Sequence, residues 1–144
     1  MSRYLADTSI WAWARKTSRP DIREKLSARY EQGEIVTCVP VVLETMHRAE
    51  TAAQFREHFD QLFAPLERLR LENTSVERAL AVQRELARAS DGNHRRAPID
   101  FLIAAAAEAA GDEVTLWCFD RDLEVICGHT GQSCEPEQST DPGH

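Results

Sequence analysis

Residues Pro98 to Asp122 read PIDFLIAAAAEAAGDEVTLWCFDRD: a helix, a turn, a strand and a loop. Pro98 suits the first helical turn, where its missing N–H costs nothing. Asp100 then falls within that turn. Phe101 to Ala110 is apolar almost all round, which predicts a buried helix rather than one lying on the surface. Gly111 stops it as a C-terminal cap. Val114 to Phe119 is β-branched and aromatic, and long enough for one buried strand. Asp120 and Asp122 follow at the C-terminal end of that strand. A buried helix and a buried strand thus carry three carboxylates at their ends.

The segments before this stretch supply further acids. Arg3 to Ala6 reads as a short strand ending at Asp7, and Asp7-Thr8-Ser9 opens a helix from Ser9 to about Arg15. Ile22, Leu26 and Tyr30 recur at helical spacing, with Gly33 ending that second helix. Glu34 to Val39 is a strand. Pro40 begins a third helix, in which Glu44 lies among Val42, Leu43 and Met46. Thr51 to Phe63 reads as a fourth helix, closed by Pro65. Leu66 to Leu71 suits a short strand, Asn73-Thr74-Ser75 offers N-caps, and Val76 to Ala89 is a fifth helix. Ser90 to Ala97 is a polar, basic loop. After Asp122 comes a short amphipathic turn, Leu123 to Ile126. Residues 135–144 are polar, contain two prolines and are expected not to order, which sets the domain at 1–134.

Strands alternating with helices predict an α/β fold, a central parallel sheet covered on both faces. In such sheets ligands bind beyond the C-terminal strand ends. Asp7 and Asp120 each end a strand. Asp100 opens a helix and Glu44 lies one turn into another, both at that same edge. No internal repeat and no Gly-rich phosphate loop is present.

Composition narrows the class. The chain has 144 residues, 42% of them hydrophobic, enough for one domain with a real core. No apolar run is long enough to span a bilayer, and MSRYLADTS lacks the apolar core of a secretory signal, so a cytoplasmic protein is expected. The cysteines (38, 118, 127, 134) show no C-x-x-C pair and the histidines no H-x-x-x-H pair, so zinc is not expected. A net charge of −7 argues against broad nucleic-acid affinity. Against that, Lys16 and Lys25 are the only lysines among 17 basic residues, and arginine grips phosphate bidentately.

Each acid has a structural reading of its own. Asp7 fits an N-cap, Asp100 a first-turn acid favoured by the helix dipole, and Asp120 and Asp122 caps of the turn at Leu123. Glu44 is the hardest to explain so, because an acid beside apolar neighbours is costly unless paired. Together the four positions describe a cluster, and two carboxylates at about 5 Å repel by about 3 kcal/mol at an effective dielectric near 20. A fold keeps such a cluster when a cation neutralises it, and oxygen ligands alone select Mg²⁺ or Mn²⁺. Acids without a Ser-His pair suit phosphodiester hydrolysis better than acyl transfer.

The segments LADTSIW, VVLE, HRRAPIDFLIAAAAEAAG and FDRDLEVI, in that order, resemble a PIN-domain ribonuclease of the VapC toxin type, over Leu5 to about Ile126. The resemblance implies a three-layer α/β/α sandwich. It implies an acidic quartet of Asp7, Glu44, Asp100 and Asp120, with Asp122 as an extra acid. Asp7, Asp100 and Asp120 would hold the metal, and Ser9 would support Asp7. It further implies an Mg²⁺-dependent endoribonuclease (Mn²⁺ as the alternative cation), a cognate VapB-type antitoxin and a homodimer. Trp117-Cys118 departs from the His or Tyr that often precedes the last aspartate. Two other readings stand beside it: a catalytically silent PIN-like binding module, and a phosphoaspartyl fold, which lacks its second acid beside Asp7 and its late lysine.

Two expectations concern partners. Arg95, Arg96 and Arg121 flank the acids and are expected to hold the RNA backbone. Trp11 and Trp13 lie about 200° apart around a helix, so both cannot share one buried stripe. Trp11, with Ala14 and Arg15 as its helical neighbours, is expected to line an apolar groove for the antitoxin.

Overall fold

β1 (Arg3–Ala6) runs up the middle of a wholly parallel sheet in the computed structural model, which describes residues 2–139. On one side lie β2 (Ile35–Cys38) and then β3 (Glu67–Leu69); on the other, β4 (Val114–Cys118) and then β5 (Cys134–Pro136). The chain therefore builds outward from β1 to β3, then returns to lay β4 against the other flank of β1. Leu5 sits in register with Val36 on one side and Leu116 on the other. Every residue of β2 is buried, so both faces of the sheet are covered. The result is the expected α/β/α sandwich.

The covering helices are α1 (Thr8–Ala14), α2 (Pro20–Glu31), α3 (Val39–Met46), α4 (Ala52–His58), α5 (Asn73–Ala89), α6 (Pro98–Ala109) and α7 (Arg121–Thr130). A π-helical turn, Phe59–Phe63, extends α4 and turns Phe63 into the core. As its apolar run requires, α6 is the buried one: Phe101 and Ile103 through Ala107 are all inaccessible. Gly111 follows its C-cap at φ +85, where a side chain would be strained. No helix among the described residues is long and apolar enough to cross a membrane.

Three expectations need correction. The turn at Leu123 is instead the ten-residue helix α7, because Cys127 continues the apolar stripe of Leu123 and Ile126. The domain does not stop at residue 134. Cys134–Pro136 is an edge strand, paired to β4 with Leu116 opposite Cys134. The charges that made this segment read as a tail are the complement of α2. Arg29 holds Glu135 at 2.6 and 3.0 Å while lying over the Tyr4 ring at 3.7 Å. Lys25 and the Trp117 indole N–H reach Glu137 at 2.6 and 2.8 Å. Residues 140–144 of the expected tail lie outside the described residues.

The third correction concerns the tryptophans. Trp11 is only 5% exposed, packed on Tyr30 and Phe63, with its indole N–H donating to the Ala6 carbonyl at 3.2 Å. It contributes only an edge to a small open cleft shared with Leu26, Tyr30 and Leu62, and its indole is packed within its own chain. Trp13 is the half-buried one, stacked on Phe119 with Lys16 over its ring.

The side chain of Glu137 is 9% exposed, and its removal would leave the indole N–H of the fully buried Trp117 without its partner. Glu137→Ala should therefore lower stability to urea by about 1–3 kcal/mol. An unchanged urea midpoint would mean that β5 is held by its ladder alone.

Candidate active site

Asp7 ends β1 and caps α1, and it is 2% exposed. Its Oδ2 accepts hydrogen bonds from the Ser9 backbone N–H at 3.0 Å and from Ser9 Oγ at 2.6 Å. Ser9 Oγ in turn accepts from the Phe119 N–H at 2.9 Å, which ties the end of β4 to the start of α1. Asp7 Oδ1 is buried with no partner at all. The capping and clustering readings of Asp7 are thus both true, one for each oxygen.

Asp100 lies in the first turn of α6, 4% exposed, and its Oδ2 is likewise buried and unpartnered. Glu44, on α3, is half-buried and accepts a hydrogen bond from Thr8 Oγ1 at 2.7 Å. Thr8 went unnoticed in the sequence; its only signal was a second hydroxyl next to Asp7. Asp120 caps α7, accepting from the N–H groups of Asp122 and Leu123 at 2.7 and 3.3 Å on a single oxygen, Oδ1. Asp122 accepts from Arg96 at 2.8 Å.

The five acids meet in two overlapping groups. Asp7, Glu44 and Asp100 each bring an oxygen within 4.8 Å of the others, and so do Asp100, Asp120 and Asp122. Asp100 belongs to both. The place is the gap between β1 and β4, where the chain direction around the sheet reverses and where open α/β sheets bind ligands.

The cluster is hostile to its own charge. Burial, reinforced by Asp120, Asp7, Glu44 and Asp122, raises the Asp100 pKa from 3.8 to about 8. Burial raises Asp7 to about 6, with the Ser9 hydrogen bonds pulling the other way and Asp120 adding to the rise. Two buried carboxylate oxygens without donors, among oxygen-only neighbours, fit a hard divalent cation. Such an arrangement can hold a cation and present a water or a phosphoryl oxygen to it.

The description "PIN domain" matches residues 4–128. The chain belongs to the PIN-domain family. It is 34% identical to ribonuclease VapC18 of Mycobacterium tuberculosis over 133 residues, 92% of this chain and 93% of that one. It is 36% identical to ribonuclease VapC2 of the same species over 138 residues, 92% and 91% of the two chains. Among solved structures, the DNA-bound VapBC of Salmonella typhimurium superposes with a TM-score of 0.72 at 18% identity, covering 94% of this chain and 98% of that one. That last likeness is one of fold.

In this PIN domain the three arginines singled out from the sequence have different surroundings. Arg95 and Arg121 are exposed. Arg96 is engaged, through Asp122 and through both the carbonyl and the side chain of Asn93. It serves the acid centre by neutralising one member.

The raised acids set a pH dependence. A carboxyl whose folded pKa exceeds its unfolded value binds its proton more tightly when folded. Its contribution is complete below the unfolded pKa and is lost as pH rises through the folded one. The metal-free PIN domain should therefore lose stability between about pH 4 and about pH 8, the span from an ordinary aspartate to Asp100. Asp100→Asn should flatten most of that slope, by on the order of a few kcal/mol at the alkaline end. Urea denaturation in EDTA across this range tests it; parallel profiles for the two proteins would contradict the assignment.

Proposed function

We propose that this PIN domain is a Mg²⁺-dependent endoribonuclease, the toxin of a toxin–antitoxin pair. The observation that carries it is the pair of buried, donorless oxygens on Asp7 and Asp100 inside a ring of acids. The names of its VapC relatives support the substrate class.

The residues divide the work as follows. Asp7, Asp100 and Asp120 would hold the cation: Asp7 and Asp100 carry the buried oxygens that lack donors, and Asp100 also lies within reach of Asp120. Ser9 fixes the Asp7 carboxylate so that Oδ1 points away from its cap. Glu44, oriented by the Thr8 hydroxyl, takes the proton of the attacking water. Asp122, held by Arg96, completes the second group around Asp100. Bound Mg²⁺, with Mn²⁺ as a substitute, would lower the pKa of that water and stabilise charge on the phosphoryl oxygens. Exposed Arg95 and Arg121 contact the RNA backbone.

The partners follow from the same reading. Solved neighbours of this fold are VapBC assemblies, which supports a VapB-type antitoxin here. Exposed Val39 and Leu43 on α3, with Val76 and Leu80 on α5, support a homodimer. The site of action is the cytoplasm.

Purified protein should cleave RNA with Mg²⁺ and stop in EDTA. Asp7→Asn and Asp100→Asn should each abolish cleavage while keeping the far-UV circular dichroism spectrum. Cleavage that survives both chelation and these substitutions would refute the proposal.

A further inference from the structure

Arg15 and Arg48 line one cleft of about 290 Å³, together with Thr45, Met46, His58 and Leu62. No carboxylate among the described residues lines it, and neither guanidinium has an ion pair or hydrogen bond. The two charges meet: burial and the charge of Arg48 both lower the Arg15 pKa. Thr45 is 5% exposed and its hydroxyl has no partner. Both arginines follow helix C-termini, where one cation complements the dipole. That explains a cation at each end, but not two that line one cleft with no acid beside them.

The cleft continues from the acid centre. Thr8 of α1 holds Glu44 of α3. Arg15 lies two turns beyond Thr8, about 10 Å along the helix axis, and Arg48 one turn beyond Glu44. The acid centre and the cleft thus mark two ends of the seam between these helices. A flexible nucleic-acid strand covers that distance in a nucleotide or two.

We propose that this cleft binds a backbone phosphate of the RNA, a nucleotide or two from the bond that is cut. The proposal rests on the nuclease reading of the acid centre. An acid cluster on a chain of net charge −7 repels the phosphates beside the scissile one, so cations set back from it must supply the grip. Arg96 is already committed to Asp122. Arg15 and Arg48 are uncommitted, line the same cleft, and carry the fork geometry that fits a phosphate. An acidic peptide would satisfy the same charges, but nothing in the cleft sets it on the path from the catalytic acids.

The test compares the wild-type chain with the Arg15→Gln, Arg48→Gln double variant, in EDTA so that binding is read without cleavage. The probes are inorganic phosphate and a single-stranded oligouridylate. The double variant should bind the oligonucleotide roughly tenfold more weakly. Its plot of log affinity against log salt should be shallower by about 0.7, the share of one single-strand phosphate. Phosphate should raise the wild-type melting temperature and leave the double variant unmoved, and Arg15→Lys with Arg48→Lys should restore most of the salt slope. The double variant's own melting temperature should not fall, since a repulsion has been removed. An unchanged slope together with an unchanged phosphate response would overturn the proposal. So would a variant that keeps the RNA slope but loses binding to an acidic peptide, which makes the cleft a protein contact. A wild type that binds through the cleft yet never cleaves RNA with Mg²⁺ would refute the nuclease reading, and with it the placement beside a cut bond, while the phosphate contact itself would stand.

Discussion

Ser9 Oγ joins two strand ends that are far apart in sequence. It donates to Asp7, just beyond β1, and accepts from Phe119, just beyond β4. The Asp7 N–H adds a third link, to the Trp117 carbonyl at 2.9 Å. These bonds fix where the sheet opens at its switch point, and they consume one Asp7 oxygen while the other stays buried without a partner. Everything the acid centre can do depends on this small bridge, because a carboxylate free to rotate would satisfy both oxygens locally or reach for water.

The cost of the arrangement is electrostatic. Five acids share a space in which Asp100 belongs to two groups at once. Burial and mutual repulsion hold Asp100 protonated near neutral pH and push Asp7 toward the same state. The fold answers on the periphery: Arg96 neutralises Asp122, Thr8 donates to Glu44, and helix N–H groups donate to Asp120. Among the described residues no basic side chain pairs with Asp7, Asp100 or Asp120. A site that is satisfied at its rim and left with unpartnered carboxyl oxygens in its middle is suited to a cation from solvent.

How much of this was legible in the sequence depended on the range of the signal. Strand ends, the apolar α6 and the order of acids are local patterns, and they placed Asp7, Glu44, Asp100 and Asp120 together correctly. What failed were features whose partner lies elsewhere in the chain. Glu135 and Glu137 looked like a solvated tail because Arg29 and Lys25, which neutralise them, are over a hundred residues earlier. Trp11 looked unpartnered because Tyr30 and Phe63 do not share its helix. Arg96 was legible as a cation flanking the acids, but its partner Asp122, which comes from α7, was not. The turn expected at Leu123 to Ile126 runs on as a helix because Cys127, reduced and buried, packs as a small apolar residue.

The central claim is that Asp100 is kept protonated by the cluster and gives up its proton when a divalent cation enters. Calorimetric titration of Mn²⁺ into the metal-free protein near neutral pH, repeated in buffers of different ionisation enthalpy, counts that proton directly. Because the Asp100 pKa is raised to about 8, binding should release about one proton per site, and Asp100→Asn should release almost none. Binding without proton release in the wild-type chain, or equal release from the variant, would contradict it.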